Sequence, residues 1–286
     1  MGRLDEAHPT AYARGMAEPL FDDEQLRVGT EAHYEDAVYY DQAYRRRKED
    51  LRFYADLAEV MGPRVLELGC GTGRVALAMA ERGAEVVGVD TMAPMLARAK
   101  ERVGKAKVEV RERVRFVRGD LRRVRLKERF DLVVSPFNVF QHLYAREDVE
   151  RALATVREHL RPKGRFVFDV RVPQVVELAR HPEKVYSGGT LKLASNGRKY
   201  RYRERFDWDP IAQVQMVEMA FEGVDDPSDF ALTPLAHRQF FPAELEALLH
   251  YNGFEILERF GDFEGGELGP ESESQILLCR PRGRRR

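Results

Sequence analysis

The chain has 286 residues, 43% apolar, 10% aromatic and 33% charged, so a sizeable core is available and wholesale disorder is excluded. Forty-seven basic against 48 acidic side chains leave a formal charge of -1, which excludes a global polyanion-binding surface and leaves a local patch open. No stretch approaches the roughly 20 apolar residues of a membrane span, the N-terminus lacks a signal-peptide core, and Cys70 and Cys279 match neither a disulfide framework nor a zinc pattern, so a reduced, cytoplasmic, metal-free protein is expected.

Residues 1 to about 30 show no sustained periodicity and read as a loose arm. From Glu31 to Met61, apolar and aromatic residues recur at helical spacing (Val38, Tyr40, Tyr44, then Leu51, Tyr54, Leu57, Ala58). This predicts two helices joined near Arg45-Arg46-Arg47, and residues 1–61 form an N-terminal arm and helical cover. After Gly62-Pro63 a βα alternation begins. Val65 to Leu68 is a strand, Val75 to Glu81 a helix stopped by Gly83, Glu85 to Val89 a strand ending at Asp90, and Pro94 to Val103 a helix with Pro in its first turn. Arg115 to Val117, Phe130 to Val134 and Arg165 to Val170 give three more strands, with a helix over Glu147 to Leu160 closed by Arg161-Pro162-Lys163-Gly164. Such alternation predicts a parallel sheet covered on both faces.

The pattern changes after Pro173. Leu191 to Leu193, Tyr200 to Phe206 and Gln213 to Phe221 alternate as β strands, separated by the turn formers Asn196-Gly197 and Asp209-Pro210. They predict an antiparallel meander, with a fourth strand over His237 to Phe241. Pro242 to Tyr251 returns to helix, and Phe254 to Phe260 and Gln275 to Cys279 supply two last strands. The expected division is a core of residues 62–172 and 236–281, an inserted antiparallel β-lid of 173–235, and a disordered basic tail of 282–286.

Arg outnumbers Lys 38 to 9, and Arg98 to Arg129 holds 14 basic and 5 acidic residues. That run reads either as a nucleic-acid patch or as solvated faces of a helix and an edge strand.

The sharpest local signal is Leu66-Glu67-Leu68-Gly69-Cys70-Gly71-Thr72-Gly73-Arg74, a strand entering three alternating glycines and then a helix. Glycines are needed where the backbone takes positive φ or meets a ligand closely, and such a first βα turn is where parallel sheets bind nucleotides. The loop is G-x-G-x-G and not the dinucleotide pattern G-x-G-x-x-G. Glu67, inside the strand, would repel a pyrophosphate but suits a ligand with an ammonium and a sulfonium. Asp90, ending the next strand, can accept both ribose hydroxyls of an adenosine, and Asp120 ends the third.

With these segments the sequence resembles class I S-adenosylmethionine-dependent methyltransferases of the small-molecule type. The likeness spans roughly residues 36 to 281 and includes Val86 to Ala97, Val117 to Leu121, Phe130 to Leu143, Leu160 to Asp169 and Phe241 to Phe254. It implies a doubly wound, mostly parallel seven-stranded Rossmann-like sheet with the inserted lid and the helical cover. It also implies S-adenosyl-L-methionine as cofactor and S-adenosyl-L-homocysteine as its product. Glu67, Gly69, Cys70 and Gly71 are then expected to line the methionine end, Asp90 to hold the ribose, and Thr91 and Met92 to border the adenine. Asp120 accepts from the adenine amino group, Leu121 offers its amide to the ring, and Pro136 and Phe137 pass beneath the sulfonium. The Tyr40-Asp41-Gln42-Ala43-Tyr44 segment matches one that crosses over the cofactor, which makes Tyr40 and Tyr44 cofactor contacts and Tyr40 a catalytic candidate. Met95 reads as core.

Methyl transfer needs alignment and dryness more than covalent help, so no nucleophilic set is required. His142, after the fourth strand, is either a general base or a hydrogen-bonded wall. Ser135-Pro136-Phe137-Asn138 departs from the [Asp/Asn]-Pro-Pro-Tyr motif of enzymes that methylate nucleobase amino groups. Tyr200, Tyr202, Arg203, Arg205, Phe206 and Trp208 of the meander, and Arg238, either bind an anionic or planar acceptor or hold the meander together. The expected partner is a small-molecule methyl acceptor on N or O, with the protein a monomer or homodimer. An RNA methyltransferase, a non-catalytic cofactor-binding protein and a nicotinamide-dependent oxidoreductase are the alternatives.

Overall fold

A computed structural model describes residues 19–283; residues 1–18 of the expected arm and 284–286 of the expected tail lie outside the described residues. Three helices come first, α1 (Asp23–Glu35), α2 (Ala37–Ala43) and α3 (Glu49–Met61). The alternating region is β1 (Arg64–Leu68), α4 (Arg74–Glu81), β2 (Glu85–Asp90), α5 (Ala93–Gly104), the single turn α6 (Val108–Arg111), β3 (Val114–Arg118), β4 (Phe130–Ser135), α7 (Arg146–His159) and β5 (Leu160–Arg171). A short α8 (Val175–Leu178) leads to β6 (Tyr186–Lys192), β7 (Lys199–Asp209), β8 (Val214–Gly223) and β9 (Phe230–Arg238), and α9 (Pro242–Tyr251), β10 (Phe254–Phe260) and β11 (Ser274–Pro281) close the chain.

Seven strands form one sheet in the order β10-β11-β5-β4-β1-β2-β3, with β11 antiparallel to both neighbours and the other contacts parallel. The central strands are buried on both faces, as continuous apolar runs require. Leu66, Leu68, Phe166 and Phe168 pack with Leu153, Val156, Leu245 and Leu249 of α7 and α9 on one side. Val65, Leu132 and Val134 pack with Tyr54, Ala58, Val75 and Met79 of α3 and α4 on the other. The chain leaves β1 toward β2 and β3, then returns to place β4 on the other flank. That reversal opens a cleft at the carboxyl ends of β1 and β4, where such sheets bind ligands.

Two expectations are corrected. Residues 23–30 are helix and not loose arm, giving three helices where two were expected, because Asp22 caps α1 reciprocally with Gln25: the Gln25 amide donates to Asp22 Oδ1 at 2.8 Å, and the Asp22 amide to Gln25 Oε1 at 2.9 Å. The fourth meander strand is Phe230–Arg238 and not His237 to Phe241. Pro234 argues against a strand in sequence, yet β9 is an edge of the sheet β6-β7-β8-β9, where a missing amide donor is tolerated. The meander's basic side chains pair across strands, Arg201 and Arg203 with Glu222 and Arg205 with Glu218.

Helix α1 joins the two sheets. A Cβ on Gly29 would stand 2.7 Å from that of Ala236 in β9, so only glycine allows this close approach. Beside it Thr30 Oγ1 lies 2.6 Å from Tyr144 Oη, which donates to the carbonyl of the same Ala236 at 3.0 Å. Among the described residues no helix is long and apolar enough to cross a membrane.

Candidate functional site

The loop between β1 and α4 takes left-handed φ at Gly69, Gly71 and Gly73, at 75°, 52° and 72°. At Gly69 the reason is also steric, since the side chain of Val139, from the segment after β4, fills the space a Cβ would need. The Gly69 and Cys70 amides both donate to the Val89 carbonyl, at 2.8 and 3.0 Å, tying the loop to the end of β2. Asp90 reinforces that tie. Its Oδ2 accepts from the Gly71 amide at 2.7 Å and its Oδ1 from the Met92 amide at 2.9 Å. Each oxygen keeps a second lone pair for a ligand hydroxyl. Burial raises the Asp90 carboxyl, and the Met92 and Gly71 amides act against that rise.

Glu67 is the anomaly of the site. It is buried at 2% exposure, and its Oε2 has no hydrogen-bond partner among the described residues. Burial pushes its carboxyl well above the usual range, with Arg74 opposing. An unpaired buried carboxyl is costly unless something completes it, and an ammonium group is the donor set that would.

A cavity of about 420 Å³ opens over this loop. Glu67, Gly69, Cys70 and Gly71 line it from β1 and the glycine loop, Asp90, Thr91 and Met92 from the end of β2, and Asp120 and Leu121 from the segment after β3. Pro136, Phe137, Tyr40 and His142 complete it, together with Tyr34 of α1. Tyr44 is the exception to the expected set. Its ring stacks edge-on behind Tyr40 and Phe137, 4.8 Å from each, and its hydroxyl lies 3.0 Å from His33 Nε2. One helical turn along α2 separates the two tyrosines, so only Tyr40 of the pair reaches the lining. Met95 packs with Ala37 and Tyr40 and also borders the cavity.

Asp120 does not stand free. Arg122 grips it through Nε and Nη2 at 3.0 and 2.8 Å and reaches Asp148 through Nη1 at 3.1 Å. Burial raises the Asp120 carboxyl, but the Arg122 guanidinium and amide outweigh it and hold it below its ordinary value.

The clamp that seats the cover has no local signal in the sequence. Asp41, between the two tyrosines, accepts from Thr72 Oγ1 at 2.7 Å and Arg98 Nε at 2.8 Å, and also pairs with Arg102. It fastens α2 to the glycine loop and to α5. The basic run from Arg98 is thereby partly paired within the chain: at the surface Arg115 pairs with Glu128 and Arg125 with Glu158 as well.

At the end of the cavity near α1, His142 Nε2 lies 2.7 Å from Tyr34 Oη, and its ring meets His237 edge-on at 4.9 Å. Burial, with His33 nearby, lowers His142 to about 4, and it leaves Tyr34 and Tyr40 well above the ordinary phenol range. The wall is therefore neutral at physiological pH. His33, itself 3% exposed, is also driven down to about 4 by burial. An unfolded chain takes up a proton at this residue near pH 6.5, which the folded one refuses. Its contribution to stability is thus complete above that pH and is lost as pH falls toward about 4. Relative to His33→Gln, the wild-type urea midpoint should fall between about pH 7 and pH 5; a constant difference would contradict a buried neutral ring. Among the described residues no three His, Cys, Asp or Glu side chains are grouped to hold a metal ion.

Residues 65–164 match the family model of a methyltransferase domain. The putative methyltransferase YqeM of Bacillus subtilis is 25% identical over 219 residues, 76% of this chain and 83% of its own length. The glycine/sarcosine N-methyltransferase of Aphanothece halophytica is 28% identical over 228 residues, 77% of each chain. Among solved structures, the CcbJ methyltransferase from Streptomyces caelestis aligns with a TM-score of 0.70 at 28% identity, covering 82% of this chain and 95% of that one.

Proposed function

Because this chain belongs to the class I S-adenosylmethionine-dependent methyltransferases, we propose that it carries a methyl group from S-adenosyl-L-methionine to the nitrogen of a small amine. The cofactor supplies a methyl group on a cationic sulfur, an excellent leaving group. The chain's own residues bind, align and dry the reactants. Glu67 would take the cofactor's ammonium, completing the unpaired Oε2, and the carbonyls of the Gly69–Gly71 loop would face the same group. Asp90 would hold the ribose hydroxyls with its spare lone pairs. Thr91, Met92 and the Leu121 amide would border the adenine, and Asp120 would accept from its amino group once Arg122 turns fully to Asp148. Pro136 and Phe137 would form the floor, Tyr40 the roof, and His142 with Tyr34 the wall that meets the acceptor.

The observation that carries nitrogen over oxygen is the neutrality of that wall. A hydroxyl acceptor must lose its proton to a base, and His142, lowered to about 4, is a poor one. A neutral amine needs none. His142 and Tyr34 present no charge to the acceptor, which suits the unprotonated amine. The nitrogen lone pair forms the new N–C bond as the C–S bond breaks, sulfur becomes a neutral thioether, and the nitrogen then releases its extra proton to water. N-methyltransferases among the relatives support the same reading. The ion pairs of Arg98, Arg102, Arg115 and Arg125 give RNA no support as acceptor.

The test is incubation with methyl-labelled cofactor and matched panels of small amines and alcohols. Label on nitrogen is expected. Label on oxygen or RNA contradicts the proposal, and cofactor binding without any transfer points to a non-catalytic protein.

A further inference from the structure

The turn after β4 holds two consecutive non-glycine residues, Phe137 and Asn138, in the left-handed region, each with φ 63°. Asn visits that region readily, whereas a bulky residue such as Phe is strained there and needs surrounding structure to keep it so. The restraint is Asp169, near the end of β5 and 0% exposed. Its Oδ1 accepts from the Phe137 amide at 2.8 Å and its Oδ2 from the Asn138 amide at 3.3 Å. Successive amides aimed at one carboxylate make an anion nest. A third donor comes from the cover, the Tyr54 hydroxyl of α3, at 2.7 Å from Oδ1. Flanked by Phe168 and Val170 in the core, this position is held as a carboxylate by these three bonds, with the Arg47 charge also favouring it.

What the turn carries explains why they matter. Phe137 and Val139 lie on either side of Asn138 and both line the cavity, as Pro136 does, while Asp169 and Tyr54 do not. Val139 fills the space above Gly69, so the turn and the glycine loop lock together. The Phe137 ring stands 4.8 Å from that of Tyr44 and 6.2 Å from that of Tyr40, with the Arg47 guanidinium 4.6 Å above it.

We propose that Asp169, oriented by Tyr54, is a positioning residue of the cofactor cavity: it fixes the left-handed turn that sets the floor against the glycine loop and the roof formed by Tyr40. The inference rests on cofactor binding and not on the nature of the acceptor. Unaltered binding by the variants would therefore count against Asp169, whereas a failure to methylate any amine would count against the reading above.

The experiment is calorimetric titration of the full chain with S-adenosyl-L-homocysteine, alongside melting temperature. Asp169→Asn should weaken binding at least about tenfold, because its amide nitrogen opposes one of the two backbone donors. Titrated well below both melting transitions, where wild type and variant are equally folded, the loss should persist, which a merely structural defect would not produce. Binding by Asp169→Asn within about twofold of wild type overturns the inference. If Asp169→Asn does not fold, Tyr54→Phe decides. Weaker binding at an unchanged melting temperature supports the role, and unchanged binding refutes it.

Discussion

Replacing Glu67 by Gln should weaken S-adenosyl-L-methionine binding by about 100-fold while raising the melting temperature of the ligand-free protein. The two effects share one cause. The carboxyl is buried at 2% exposure with Oε2 unpartnered, so without a ligand it is a liability of the fold: it must either desolvate a charge or hold a proton that the unfolded chain releases, and Gln fits the same space with neither cost. On the proposed reading the bound ligand's ammonium completes it, and removing one partner of a buried, hydrogen-bonded charge pair costs about 2–5 kcal/mol of affinity. Because burial holds the free carboxyl protonated to unusually high pH, binding of the ammonium should also expel a proton. Calorimetry in buffers of different ionisation enthalpy would read that proton in wild type and find it gone in Glu67→Gln. A variant that binds as wild type does would remove Glu67 from the site.

Asp90→Ala should lose as much affinity but move stability the other way. Both carboxylate oxygens hold backbone amides, of Gly71 and Met92, and bonds from such groups to a charge contribute about 1.5–3 kcal/mol each. The variant should therefore have a lower urea midpoint and a looser glycine loop, besides losing the acceptors proposed for the ribose. If its midpoint equals that of wild type, the carboxylate is not what ties the loop to β2. The opposite signs at positions 67 and 90 separate a group that waits for the ligand from one that also builds its cradle.

The seven-stranded sheet was legible because its central strands are apolar runs punctuated by Gly and Asp, a pattern that short-range chemistry enforces. The glycine loop and its flanking acids were legible for the same reason: positive φ at Gly69 and the strand-end positions of Asp90 and Asp120 are local facts. Helix α1 was missed although its capping box, Asp22 with Gln25, stood in the sequence; weak apolar periodicity hid it. The clamp on Asp41, the His142–Tyr34 pair and the Asp169 nest were beyond reach on other grounds. Each joins residues 31 or more positions apart, and a lone Asp or His gives no sign of which distant amide or hydroxyl it will meet. The pairing of Asp120 with Arg122 was within reach, two residues apart, but a strand-end Asp was read for its ligand and not for its neighbour.

Wild-type protein and Glu67→Gln should each be titrated with S-adenosyl-L-homocysteine and with its analogue lacking the amino group. Wild type is expected to prefer the amine-bearing ligand by at least about 30-fold, and the variant to show almost no preference. Equal affinities of wild type for the two ligands would mean that the buried carboxyl of β1 does not receive the ammonium, and the orientation of the cofactor in this cavity would have to be redrawn.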